Sequence, residues 1–183
     1  MIYNIFELIE AVNNGLRFTC KFFFYPSEEV GVSESCLSQW HLSNFVIDGQ
    51  EYTSAEQYMM ASKARVFNDN DSLERILSTN DPREIKKIGR KVSGYTEERW
   101  GSLKSSIVQI GNLNKFSQNS DLKRYLLSTG EDILVEASPY DKIWGIGLSL
   151  NNDLISDPRA WKGQNLLGFA LMKVRSALKI IEN

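Results

Sequence analysis

Helix punctuation between Thr53 and Gly130 constrains this chain more than any other feature. Asp81-Pro82-Arg83-Glu84 joins an N-cap aspartate, a proline at the first helical position and an acid in the first turn. That combination starts a helix and is foreign to a central strand. An earlier helix opens at Thr53 or Ser54 and runs through Glu56, Tyr58, Met59, Met60, Lys63 and Val66 to about Asn68. A second covers about residues 71–78, the third ends at Ser93-Gly94, a fourth runs from Thr96 to about Phe116, and a fifth covers 122–127 and stops at Gly130. The apolar spacing over residues 3–13 predicts a short amphipathic helix closed by Asn14-Gly15. The stripe Leu167, Leu171, Val174 and Leu178 predicts a last helix over about 164–181. Strand signals are few: the aromatic-rich run 17–25, a hairpin over 44–52 turning at Asp48-Gly49, and the compact apolar run 133–137. Residues 26–38 read as a loop. No repeat or linker interrupts the chain, whose 183 residues are about one domain's worth. The expectation is an α+β fold: a predominantly α-helical single domain with a few short β-strands, residues 1–16 forming an N-terminal extension and 17–183 the domain.

Composition narrows the chemistry. A single histidine, His41, and two cysteines, Cys20 and Cys36, are too few for a closed zinc site or a disulfide framework. The expectation is no metal and no cofactor, with both cysteines reduced. Hydrolytic chemistry must then rest mainly on carboxylates, Lys or Tyr, since a triad has only His41 to use. No run approaches the roughly 20 apolar residues that span a bilayer. The start carries Glu7 and Glu10 and lacks a basic n-region. The expected setting is the cytoplasm, without membrane association. The formal charge of −2 hides an uneven distribution: residues 83–104 hold seven bases against three acids, a net of +4, so the rest of the chain sums to −6. An acidic total argues against tight wrapping of nucleic acid, whose affinity rests on phosphate neutralisation. A local basic face can still hold one or two phosphates.

Candidate chemistry sits in a few places. Glu56 and Lys63 are seven residues apart, which puts them on one helical face about 10 Å apart along the axis. A carboxylate and an amine so placed can bracket a small substrate. The competing structural reading is that Thr53 and Glu56 form a capping box and that Lys63 is an ordinary surface lysine. The run 136–147 ends a strand in polar residues and then presents Asp141, Trp144, Gly145 and Gly147, against the plainer reading of a turn before a buried Trp. Gly163-Gln164-Asn165 at a helix start offers backbone N–H groups to an anion, against a simple N-cap. The phosphate-loop and Gly-x-Gly-x-x-Gly patterns are absent. The four tryptophans, Trp40, Trp100, Trp144 and Trp161, can stack on a base or sit at the core edge. His41 follows Trp40 in a loop and is titratable near neutrality.

Taken in order, these stretches resemble a known family. Phe24-Tyr25, Leu42-Ser43-Asn44-Phe45, Tyr52-Thr53-Ser54-Ala55-Glu56-Gln57-Tyr58-Met59, Lys63-Ala64, Gly89-Arg90, Trp100 and Lys115-Phe116 lead the set. Leu134-Val135-Glu136-Ala137-Ser138-Pro139, Asp141, Trp144-Gly145-Ile146-Gly147 and Asn165-Leu166-Leu167-Gly168 complete it. The chain resembles the NADAR, or YbiA-like, family over nearly its whole length. The resemblance implies the fold of that family and N-glycosidase activity on ribosylamines, with two substrate classes: ADP-ribose on guanine of nucleic acid or guanosine, and the ribosylaminopyrimidine phosphates of riboflavin synthesis. It places the functional positions at Glu56, Lys63, Trp100 and Asp141. Glu56, Lys63 and Asp141 are the catalytic candidates. Asn44, Phe45, Tyr58, Arg90, Trp100, Trp144, Gly145 and Asn165 are the substrate-binding candidates, with Arg90 and its basic neighbours and the 163–165 backbone offered to phosphate. The expected route is transfer of the sugar from the base amine to Lys63 as a Schiff base, with proton transfer by Glu56 and with Asp141 orienting the ribose hydroxyls or sharing proton transfer. Direct hydrolysis is the alternative, and a non-catalytic ADP-ribose reader is the competing function class. The chain is expected to act as a monomer. The extension and the loop 27–39 fall outside the resemblance and are where substrate choice would be set.

Overall fold

A computed structural model describes residues 2–24 and 32–182. Tyr25 and the first part of the loop expected over 26–38 lie outside the described residues. The chain forms two compact units, one of residues 39–123 and one of residues 1–38 with 124–183. The class is α+β, mostly helical with short strands.

In the 39–123 unit, β2 (Leu42–Ile47) and β3 (Gln50–Ser54) form an antiparallel hairpin. Asp48 and Gly49 both turn through positive φ, 51° and 77°, as a two-residue primed turn requires. β3 runs straight into α2 (Ala55–Val66). Ser54 is the N-cap: its Oγ accepts the Gln57 N–H, and Gln57 Oε1 accepts the Thr53 N–H in return. The reciprocal pair is therefore Ser54 and Gln57, one residue later than a Thr53–Glu56 box, and it relieves Glu56 of capping. α2 is buried from Ala55 through Ser62, which marks it as the central helix of the unit. It packs against α3 (Asn70–Leu77), α4 (Pro82–Gly89) and α5 (Glu97–Gln118). Two helical glycines set the approach. A Cβ on Gly89 would lie 2.0 Å from Met60 Sδ, and one on Gly111 would lie 2.6 Å from the Tyr58 ring. Glycine inside a helix costs about 1 kcal/mol against alanine, so close packing against α2 is what these two positions gain.

In the other unit, β1 (Cys20–Phe23) pairs in parallel with β4 (Ile133–Glu136), Cys20 opposite Ile133 and Phe23 opposite Glu136. α7 (Leu166–Glu182) lies on β4, its expected stripe of Leu167, Leu171, Val174 and Leu178 fully buried. α1 (Ile5–Asn13) is capped by Asn4, which accepts the Glu7 N–H. The expected loop contains a buried 3₁₀ turn, Glu34–Leu37, and a second such turn covers Pro158–Ala160. α6 (Ser120–Ser128) lies across the boundary in sequence. Cys20 is a thiol whose pKa burial, aided by the charge of Asp132, pushes up to about 12. Among the described residues no helix is long and apolar enough to cross a membrane.

Candidate active site

α2 places Glu56 in its first turn and Lys63 in its last. Glu56 is 3% exposed, its N–H donating to the Gln39 carbonyl at 2.9 Å. Glu56 thus lies inside the unit, its backbone tied to the loop before β2. On α5, Asn112 Nδ2 donates to Gln39 Oε1 at 2.7 Å, and Lys115 is fully buried. Burial, then the field of Lys115, pushes His41 down to about 4, so its imidazole is neutral at pH 7 and acts as no cation there.

Lys63 is not an ordinary surface lysine. It is half-buried, and Nζ donates to the Gly89 carbonyl at 2.8 Å. The ammonium sits 4.2 Å from the Tyr95 ring centroid and 5.8 Å from that of Trp100. Among the described residues it makes no ion pair. Burial lowers its pKa, and the field of Glu97 partly opposes this. The acid felt by Lys63 is therefore Glu97 rather than Glu56. Glu97 is itself held ionised by the Tyr95 hydroxyl, which donates to it, and by Lys104, whose Nζ lies 3.0 Å away. The Gly89 contact has a local cause: the side-chain-free face that admits Met60 also brings the end of α4, and its carbonyl, to α2.

Lys63, Trp100 and the backbone just before Arg90 are thus brought together in one unit. Arg90 is exposed at the C-cap of α4, and Asn44 is exposed on β2. Phe45 and Tyr58 are different. Phe45 is 2% exposed and stacks on Tyr52 at 5.8 Å, while Tyr58 meets Tyr52 edge-on at 5.1 Å. These rings pack between hairpin and α2, and the edges of Tyr52 and Tyr58 also line a small cavity with Ser62 and Arg65. Two neighbours of Lys63 escaped the sequence reading, Tyr95 and Glu97. The only local signal was their position around the Thr96 cap.

The remaining candidates belong to the other unit. Asp141 Oδ1 accepts the N–H groups of Ile143 and Trp144 at 2.9 and 2.8 Å, shaping the turn that carries Trp144. Gly145 is buried, and a Cβ there would lie 2.9 Å from the Glu136 carbonyl. Asn165 is fully buried at φ 52°, and its side chain bridges the Glu136 N–H and the Leu134 carbonyl at 3.0 and 2.8 Å. It fastens the start of α7 to β4. Of the backbone offered to an anion, the Gln164 and Asn165 N–H groups are spent on the Lys142 and Gly145 carbonyls. The Trp161 indole N–H donates to the Ile155 carbonyl at 2.7 Å, so this ring is part of the fold.

The NADAR domain model matches residues 23–179. The chain belongs to the NADAR domain family. It is 43% identical over 158 residues to N-glycosidase R617 of Acanthamoeba polyphaga mimivirus, covering 84% of this chain and 93% of the relative. It is 29% identical to N-glycosidase YbiA of Escherichia coli strain K12, over 86% of this chain and 88% of that one. The NMR structure of the E. coli protein YbiA superposes with a TM-score of 0.71 at 26% identity, covering 91% of this chain and 89% of that one. The general activity of this NADAR chain is accordingly that of an N-glycosidase, a hydrolase of N-glycosyl bonds.

Proposed function

We propose that this N-glycosidase cleaves the bond between ribose C1 and an exocyclic amino nitrogen, removing ADP-ribose from guanine, and that Lys63 forms the covalent intermediate. The observation that supports this reading is the setting of Lys63: an amine drawn off the solvent, without an ion pair among the described residues, its proton loosened by burial. A nucleophilic lysine needs a neutral fraction near pH 7, and desolvation supplies it.

In the proposed sequence Glu56 delivers a proton to the ring oxygen as the glycosylamine opens to an imine at C1. The Lys63 amine adds to C1, forming a C–N bond. The base amine takes a proton, and its C1–N bond breaks as the lysine imine forms. Water then adds to C1, the sugar leaves as its aldehyde and recloses, and Lys63 is regenerated. Proton transfer by a placed carboxylate contributes about 10²–10⁴-fold. Trp100 walls the position where the amine works. Arg90 is the candidate for the pyrophosphate. Asp141 is the remaining functional position that the family resemblance marks.

The test compares two substrates under the same conditions, ADP-ribosylated guanosine and a ribosylaminopyrimidine phosphate. Release of guanosine and ADP-ribose is expected. Turnover of the pyrimidine alone assigns the riboflavin-intermediate reading instead, and tight ADP-ribose binding without turnover assigns the reader. Borohydride during turnover is expected to trap a sugar adduct on the wild type and none on Lys63→Ala. Equal adducts reject the Schiff base.

A further inference from the structure

Three of the seven bases of the +4 segment, joined by Arg75 of α3, line a groove. Between α3 and α4 lies a polar groove of about 380 Å³ whose walls carry Arg75, Arg83, Lys87 and Lys91, with Asp81, Glu84 and Ile88. Both acids are engaged: Asp81 Oδ1 accepts the Arg83 N–H at 2.9 Å, and Glu84 Oε2 accepts the Thr79 hydroxyl at 3.2 Å. Among the described residues none of the four cationic side chains makes a hydrogen bond or ion pair. Arg75 acts on Asp69, the N-cap of α3, only through its field.

The pattern has a shape. Arg83 and Lys87 lie four residues apart on one face of α4, about 6 Å along its axis, and Lys91 follows in the turn just beyond the helix. Ile85, Ile88 and Gly89 are buried on the helix's inner side. The helix dipole accounts for cations near the C-terminus of α4, as it does for Arg75 in the last turn of α3. It does not account for Arg83, the second residue of α4, where a cation opposes the dipole. A row of unpaired cations in a polar groove, one placed against its own helix, matches a row of negative charges rather than a single small ion.

We propose that the α3–α4 groove binds the phosphate backbone of a nucleic acid. It holds the strand that carries the modified base, separately from the residues that act on the sugar. This rests on the guanine reading above and narrows it: the preferred substrate is a modified polynucleotide rather than a free nucleoside. With four cations the contact is modest and sequence-independent, in keeping with the acidic total.

The experiment uses the full chain and the double variant Arg75→Gln/Arg83→Gln. Binding of an unmodified single-stranded oligonucleotide is followed by fluorescence anisotropy from about 50 to 200 mM salt. The wild type is expected to show a log–log salt slope of about −2 to −3, from roughly 0.7 per neutralised phosphate. The variant is expected to bind about tenfold more weakly, with a slope shallower by about 1.4. On ADP-ribosylated substrates, KM for the oligonucleotide should rise by about tenfold in the variant. Turnover of ADP-ribosylated guanosine should stay within twofold, which also shows that the variant is folded. Equal affinity and slope for the two proteins overturn the proposal, as does variant-sensitive binding to phosphatidylserine vesicles with none to the oligonucleotide. If the oligonucleotide binds as expected but neither guanine substrate is cleaved, the guanine reading falls while the groove stands as a nucleic-acid site.

Discussion

Asn165 and Lys63 are both polar side chains drawn into the interior of their units, and they work there in different ways. Asn165 gives its whole amide to the backbone of β4, one bond donated and one accepted. Around it, Asp141 shapes a turn and Arg175 donates to the Thr129 hydroxyl and the Asp132 carbonyl at the entry to β4. Polar groups in this region replace the water they lost and hold irregular chain in place. Lys63 has one backbone carbonyl and two aromatic faces around a charge that burial disfavours. Nearby, the capping that Glu56 was positioned to do is done by Ser54 and Gln57. The first region converts polarity into stability, while α2 holds the Lys63 amine where burial disfavours its charge. A perturbed ionisable group of this kind is where chemistry is expected.

Substitutions separate these two uses. Lys63→Met should show the largest effect, lowering base release by about 10³-fold or more while the melting temperature holds or rises, because a half-buried charge is removed. A variant that melts much earlier would make Lys63 a structural clip like Asn165. Glu56→Gln, nearly isosteric, should lower kcat by roughly 10²–10⁴. A change under about threefold removes Glu56 from proton transfer. Asn165→Ala should do the reverse, costing about 1–3 kcal/mol in a denaturant titration by leaving buried backbone groups unbonded, with kcat of the folded fraction little changed. Loss of kcat at full stability would move Asn165 to the substrate. The smallest effect is a shift in pH dependence. Glu97 raises the Lys63 pKa, so Glu97→Gln should lower it further, and the limb of kcat/KM that rises with pH as Lys63 deprotonates should move to lower pH. An unmoved limb would show that another group titrates.

Much of the architecture was legible because it is written in local rules. The Asp81-Pro82 start, the Thr96 cap, the Asp48-Gly49 turn and the stripe of α7 each depend on residues within a turn or two of one another. The helix α2 was legible too, its cap left between Thr53 and Ser54. Thr53, Ser54, Glu56 and Gln57 offer two overlapping boxes, and the choice was made by β3, which continues to Ser54. The 3₁₀ turn Glu34–Leu37 left no periodic signal, being four residues long and held in place by burial.

The candidate site divides in the same way. The pair Glu56 and Lys63 follows from helical spacing, which sequence fixes. Where Phe45 and Tyr58 lie does not follow from it, since an aromatic side chain reads the same in a core and in a pocket; the structure packs Tyr58 against Gly111 and both rings against Tyr52. The 163–165 backbone reads as an anion site until its N–H groups are seen bonded to residues about twenty positions earlier. By itself, then, the sequence determined the helices, the family and the residue types left for catalysis, because caps, turns and composition act over short range. Only the tertiary structure decided the state of the key amine. The burial of Lys63, its Gly89 carbonyl and the field of Glu97 come from α4 and α5, and desolvation is a property of the whole neighbourhood rather than of any stretch of chain.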